Sequence, residues 1–309
     1  VSVILYSHAA SLEHDAGPGH PEAPRRIRAI LDAVAAADLP WLLHREPPEA
    51  SRAQLARVHP EPYPAMILAG APARGYRRLD PDTVMSSGSA AAALRAAGAA
   101  CAAVDAVIAG DAKAAFCAMR PPGHHAEPDR AMGFCLFNNV ALGALQARAV
   151  HGVGRIAIVD FDVHHGNGTQ AVFWDDPLTL FASVHQWPLY PGTGHESERG
   201  AHGNIVNRTL PPGADGADFR RLVEREVLPA VDGFAPELLM ISAGFDAHEA
   251  DPLAQLRLRE EDFAWVTREL VALADRHAAG RVVSCLEGGY DPPALARSVL
   301  AHLGALAGQ

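Results

Sequence analysis

The chain has no uninterrupted apolar run of membrane-spanning length; its longest apolar stretches are Ala-rich and broken, so no membrane span is expected. Its first residues, VSVILYSHAAS, carry no basic region before a short apolar run and make a poor signal peptide. A cytoplasmic location is the expectation. Four cysteines, Cys101, Cys117, Cys135 and Cys285, stand without any C-x-x-C spacing. That excludes a zinc ribbon and a disulfide scaffold and leaves reduced, buried thiols. Positive charge is in deficit, and the net charge of −10 argues against binding a nucleic-acid backbone. No fixed-period repeat and no Pro/Gly/Ser linker divides the chain, so residues 1–309 read as one domain.

What is present is a soluble composition, with 49% hydrophobic and 20% charged residues, in which short apolar runs alternate with segments of helical period. Strands are expected near Val3 to Tyr6, Ala114 to Met119, Arg155 to Phe161, Leu178 to Val184, Ile205 to Leu210, Leu238 to Ser242 and Arg281 to Leu286. RIAIVDF and ELLMIS are apolar on both alternating faces, as a strand covered by helices on both sides requires. Helix candidates lie between them, among them HPEAPRRIRAILDAVAAADL, SSGSAAAALRAAGAACAAVDAVIAG and ADFRRLVEREVLPAVDGF. The order predicts an α/β fold: one domain with a central, mostly parallel sheet flanked by helices on both faces.

The unusual polar residues follow directly on strands. RPPGHH follows AAFCAM, DFDVHHGNG follows RIAIV, HQWPLYPGTG follows TLFASV, AGFD follows LLMIS, and EGGY follows RVVSCL. In a parallel sheet those ends share one edge, where ligands of open α/β sheets bind, so five segments converge on one site.

Asp162 and His164, two apart, point the same way from a strand end, and Asp246 from another strand end gives three ligands with one position open. That is the pattern of a catalytic zinc site. The competing reading makes Asp162 the cap of a helix starting near Gly168, with His164 bonded to backbone. His124 and His125 follow a rigid PPG turn and suit either a loop-capping role or a division of base and acid duties beside a metal, with Asp160 orienting one ring. Tyr290, after two glycines, offers a hydrogen bond to an oxyanion.

RPPGHH, GFCLFNN, DFDVHHGNGT, YPGTG, SAGFDAH and EGGY occur in the order and at roughly the separations of the histone deacetylase family. The chain most closely resembles its class II and bacterial amidohydrolase branch, from about HPEAPRRI to the C-terminal helix. The resemblance implies an arginase-like α/β fold and one zinc ion held by Asp162, His164 and Asp246. His124 and His125 are then the tandem histidines. Asp160 stands behind the first, and Asn167 stands where class I members carry an aspartate behind the second. Tyr290 matches the carbonyl-polarising tyrosine, and Phe134, preceded by Gly133, and Tyr190 wall an acyl-lysine channel. Two potassium sites are also implied. One uses Asp160, Asp162, His164, Ser183 and Val184, and the other Phe173, Asp176, Thr179 and Asn204, largely through carbonyl oxygens.

The implied chemistry is hydrolysis of an acyl amide by zinc-activated water, with the tandem histidines managing the proton and Tyr290 donating to the tetrahedral oxyanion. The implied substrate is an acylated lysine peptide or protein, or a small acetylated amine; self-association into a homo-oligomer stays open. Leu253 occupies the position where polyamine-selective relatives carry an acidic gate, which favours acyl-lysine over acetylpolyamines, although Glu249 and Asp251 lie close by in sequence. Two further readings compete. A binuclear manganese ureohydrolase shares the implied fold but needs bridging carboxylates where this chain has neutral groups such as Gly244. A silent acyl-binding module would not need Tyr290, His124 and His125.

Overall fold

Ten strands alternate with helices along residues 1–309, all of which are described in the computed structural model. They are β1 (Val3–Tyr6), β2 (Leu42–Arg45), β3 (Arg77–Arg78), β4 (Val84–Met85), β5 (Ala114–Cys117), β6 (Ile156–Asp160), β7 (Thr179–Gln186), β8 (Ile205–Leu210), β9 (Leu238–Ala243) and β10 (Val282–Leu286). Eight form one sheet in the order β2-β1-β5-β10-β9-β6-β7-β8, and every pairing in it is parallel. β3 and β4 make a separate antiparallel pair.

Alternation along each strand feeds two cores. Ala157 and Val159 of β6 join one buried cluster of 42 residues, and Ile156 and Ile158 join another of 40, so neither face of the sheet is left to water. The helices Arg25–Ala37, Glu260–His277 and Pro292–Leu306 cover the first face, while Ser89–Ala109 and Asn139–His151 cover the second. Phe161, Phe245 and Phe263 pack edge to edge within the first core, with ring centroids 5.2–6.0 Å apart. Truncating Phe263 to alanine there costs about 3–5 kcal/mol. The helix Ser89–Ala109 is long and apolar enough to cross a membrane, which corrects the expectation that no segment qualifies. Two-thirds of its apolar window, 67%, is buried, and its alanines sit in the second core.

All seven expected strands form, Val3–Tyr6 and Ile205–Leu210 with the expected ends and the other five with shifted ones. β5 stops at Cys117, where its partners Tyr6 and Cys285 also leave the register, and β7 runs on to Gln186 because β8 pairs with it as far as Leu210. The edge strand β2 is new; only Leu42 of it is buried, so no apolar alternation announced it. The single helix expected over ADFRRLVEREVLPAVDGF is interrupted by a π-turn, Val223–Val227, between Gly216–Leu222 and Leu228–Phe234. Pro229 has no N–H to donate, and the wider i→i+5 pattern absorbs the break, with the Leu228 N–H bonded to the Val223 carbonyl.

Candidate active site

Five loops leave the carboxyl ends of β5, β10, β9, β6 and β7, five consecutive strands of the sheet, and meet over its edge. They close around a cavity of about 240 Å³ whose walls include His125, Gly133, Phe134, His164, Tyr190, Leu253 and Tyr290. All seven were candidates from the sequence. The others, Asp82 and Leu189, were not.

Asp162 and His164 from the loop after β6 meet Asp246 from the loop after β9, and one ligand atom from each lies within 4.8 Å of the others. His164 Nδ1 stands 3.1 Å from both Asp162 Oδ1 and Asp246 Oδ2. The remaining carboxylate oxygens are aimed by backbone: the Gly288 N–H donates to Asp162 Oδ2 at 2.8 Å and the Val163 N–H to Asp246 Oδ1 at 2.9 Å. Glycines make this approach sterically open, since a Cβ at Gly244 would lie 2.1 Å from Asp162 Oδ2 and one at Gly288 2.0 Å from Asp246 Oδ2. Burial raises the Asp246 carboxyl, and the Asp162 charge beside it raises it further. Burial also opposes the charged form of His164, yet hydrogen bonds to Asp162 and Asp246 outweigh it and push the imidazole up to about 10. Two buried carboxylates clamped on an imidazole thus create a strong demand for positive charge, which a divalent cation satisfies. Three candidate ligands, of which His164 lines the cavity, match a site that keeps a position open. The helix-capping alternative for Asp162 does not hold: the helix Asn167–Phe173 is preceded by Gly166 and has no side-chain cap.

The tandem histidines sit differently. His124 Nδ1 pairs with Asp160 Oδ2 at 2.9 Å, and His125 Nδ1 with Asn167 Oδ1 at 2.8 Å. Asn167 spends its amide nitrogen on Glu127 Oε1 at 2.8 Å, so its oxygen faces His125 and Nδ1 must carry the proton. That leaves His125 Nε2 as an acceptor. Burial and the neighbouring His124 and His164 charges hold the His125 imidazole well below its ordinary range, which keeps it neutral. For His124, burial is outweighed by the Asp162, Asp160 and Glu287 carboxylates, which raise it well above that range. His165, the last residue of the FDVHH run, turns away to Thr193 and Gln170.

Phe134 packs edge-on against Tyr290 at 5.8 Å, and Tyr190 edge-on against His125 at 5.2 Å. Asp82 and Thr83 hold this wall in place. Asp82 Oδ1 accepts from the Gly133 N–H at 3.2 Å, and Thr83 Oγ1 accepts from the Phe134 N–H at 3.1 Å. Leu253 lines the cavity, whereas Glu249 is drawn aside to Arg259 and Asp251 turns inward to the N–H groups of Tyr290 and Leu253.

A histone deacetylase domain model matches residues 20–306. The chain belongs to the histone deacetylase family. It is 42% identical over 282 residues to a histone deacetylase-like amidohydrolase of Pseudomonas aeruginosa, covering 89% of this chain and 73% of that protein. It is 38% identical over 308 residues to a probable deacetylase of Archaeoglobus fulgidus, covering 97% and 85%. A crystal structure of the HDA15 HD domain superposes with a TM-score of 0.94 at 34% identity, covering all of this chain and 88% of that one. The protein is thus a hydrolase of the deacetylase and amidohydrolase type.

Two other expected groups of this deacetylase lie toward opposite ends of β7. Asp160 and Ser183 stand opposite each other in the β6–β7 register, with Val184 next along β7. At the other end of β7, the carbonyls of Phe173, Asp176 and Thr179 converge on Asn204 Nδ2 at 2.8, 3.1 and 3.1 Å, while Asn204 Oδ1 is buried without a partner. Residues that sequence reasoning missed support the front of the site. Arg26 lies 4.8 Å from the Tyr290 ring centroid and donates to the Gly289 carbonyl at 2.6 Å, and Glu22 pairs with Arg26 at 3.0 Å. The Glu22–Arg26 i,i+4 spacing was visible within HPEAPRRI; its destination was not.

Proposed function

We propose that residues 1–309 form one catalytic unit, a zinc-dependent deacetylase that hydrolyses the acyl amide of acetyl-lysine side chains to a carboxylate and a free amine. The observation carrying this reading is that His164, His125 and Tyr290 line one aromatic-walled cavity, with Asp162 and Asp246 clustered on His164 behind its wall. Asp162, His164 and Asp246 would hold the zinc, and their mixed oxygen and nitrogen donors suit it. When bound, zinc supplies Lewis acidity toward the amide carbonyl and makes water more acidic.

The chain's own groups do the rest. Phe134 and Tyr190 pack the methylene stem of the lysine and exclude bulk water. His125 Nε2 accepts a proton from the attacking water and returns it to the departing amine, while Asn167 fixes the tautomer that allows this. The Tyr290 hydroxyl donates to the oxygen on which charge develops. Asp160 and His124, paired at 2.9 Å, place a positively biased ring beside the same charge.

Potassium is the cation we assign to the buried oxygen-rich sites. Half a turn of the Asn204 amide would replace its donor by a fourth oxygen among three carbonyls and relieve the orphaned Oδ1. The manganese ureohydrolase reading is disfavoured because Gly244 packs against Asp162 where a bridging carboxylate would be needed.

Acyl-lysine is preferred to acetylpolyamines because Leu253 lines the cavity while Glu249 and Asp251 are engaged elsewhere. Asp82 favours the second reading, since it sets one carboxylate in the wall. Steady-state kinetics of the zinc-loaded protein on acetyl-lysine peptides, longer acyl-lysines and acetylated polyamines separate them. Higher kcat/KM on the peptides is expected, with Leu253→Glu shifting the ratio toward polyamines. Higher native efficiency on acetylpolyamines would replace the lysine assignment, and no turnover of any acylated amine would leave a binding module.

A further inference from the structure

Glu287, the first residue of the EGGY loop, is given no contact with the reacting atoms above, yet its side chain is fully buried. Its Oε2 accepts the N–H of Gly123 at 2.7 Å and of His124 at 3.1 Å, and its Oε1 accepts the Ser242 hydroxyl at 3.1 Å. Gly123 and His124 lie in the loop after β5, and Ser242 lies on β9. β5 and β9 are the neighbours of β10, and one carboxylate just past β10 therefore links β9 to the loop that follows β5.

The consequence concerns two loops that lie beyond the sheet's own ladder. The loop after β5 carries His124 and His125; the loop after β10 carries Tyr290, three residues beyond Glu287. Past the last paired residues, Cys117 and Cys285, these loops no longer exchange ladder hydrogen bonds. The Tyr290 loop is pinned from its own side. The Arg26 guanidinium donates to the Glu287 and Gly289 carbonyls at 2.5 and 2.6 Å, and Asp251 accepts the Tyr290 N–H at 2.7 Å. The histidine loop is tied to it at its start by Arg120, whose partner Glu22 also holds Arg26, and at the histidines themselves by Glu287.

We propose that Glu287 is a positioning residue, a strap that fixes the separation of the proton-transferring His125 from the oxyanion donor Tyr290 by accepting the backbone N–H groups of Gly123 and His124. The proposal rests on the roles given to those two residues. A shift of about 1 Å between reacting groups costs roughly 10²-fold in rate, so the strap acts on turnover rather than on substrate affinity.

Glu287→Asp and Glu287→Gln are the test. The aspartate is one methylene too short to reach both N–H groups. The glutamine keeps an acceptor oxygen for them and turns its amide nitrogen toward Ser242, whose hydroxyl accepts. In Glu287→Asp, kcat on the best substrate of the wild type should fall about 10²-fold with KM within about twofold and zinc content unchanged. Glu287→Gln should keep kcat within about threefold. Amide hydrogen exchange read by NMR should show Gly123 and His124 protected in wild type and Glu287→Gln and roughly tenfold faster in Glu287→Asp. Unchanged protection or unchanged kcat in the folded Asp variant overturns the proposal, as does a Gln variant as impaired as the Asp one. Should Glu287→Asp fail to fold, Ser242→Ala decides: freeing Oε1 should raise exchange and lower kcat in the same direction by a smaller factor, and no change in either refutes the strap. The exchange arm needs no substrate. If the wild type hydrolyses no acylated amine, the functional reading falls while exchange still decides whether Glu287 holds the histidine loop.

Discussion

Glu22 and Arg120, 98 residues apart in sequence, meet as a two-pronged ion pair with neither side chain exposed to solvent. Arg120 Nη2 lies 2.5 Å from Glu22 Oε2, its Nε bonds Glu22 Oε1, and Arg26 and His14 reach the same carboxylate at 3.0 and 3.2 Å. One carboxylate therefore answers two guanidiniums immediately behind Tyr290.

Glu22→Gln should lower stability by about 3–5 kcal/mol, because it strands two buried cations. Urea denaturation measures it; a loss below about 1 kcal/mol would mean that the arginines find other partners. Burial works to raise the Glu22 carboxyl, but Arg120 and His14 outweigh it and hold it well below its ordinary 4.5. The sign follows: this contribution is complete above the unfolded value and is lost as pH falls through the folded one.

His302 adds a second acid sensitivity, in a higher window. Its ring is fully buried between Thr267 Oγ1 at 2.7 Å and Ser284 Oγ at 2.9 Å, and burial lowers it from 6.5 to about 3. Below pH 6.5 the unfolded chain takes up a proton that the folded one refuses, so stability falls as pH drops from there toward 3. In His302→Gln the slope of stability against pH in that window should flatten. An unaltered slope in urea titrations between pH 6.5 and pH 4 would assign the loss to other groups.

Asp246→Ala and His164→Ala should lose bound metal and activity together, since each removes one of three ligands. Elemental analysis after dialysis reads the metal directly. Full occupancy with normal turnover in either variant would contradict the ligand assignment.

Tyr290→Phe should keep metal and fold while lowering kcat by roughly 10²–10³, the usual effect of deleting an oxyanion donor. His125→Ala should be comparably damaging and should remove one limb of the pH–rate profile. A Tyr290→Phe enzyme with wild-type kcat would take the phenol out of the reaction.

The sequence made the front of the site legible because its residues follow buried strands. Asp162, His164 and Asp246 each come within a few residues of a wholly apolar run, and the parallel sheet then forces their ends together. The supporting residues carry no such mark. Glu22 precedes a helix and Arg26 lies in its first turn, Asp82 belongs to the turn between β3 and β4, and Asp251 to a loop, and only the folded chain brings them to Tyr290 or the cavity wall. Glu287 was quoted within EGGY, but a carboxylate that bonds backbone N–H groups has no spacing signature. β2 escaped for a related reason: a mostly exposed edge strand needs no apolar face.

The place of β10 in the sheet also bears on how the protein is made. It is the last strand in sequence, yet it lies at the centre, between β5 and β9. On the ribosome, β2, β1 and β5 can pair early, and β6 to β9 can assemble as a second slab, but each keeps a bare apolar edge until residues 282–286 emerge. The two slabs therefore cannot fuse until β10 has left the ribosome. Because Glu287 and Tyr290 follow that closing strand directly, the cavity gains its tyrosine only as the two slabs are joined.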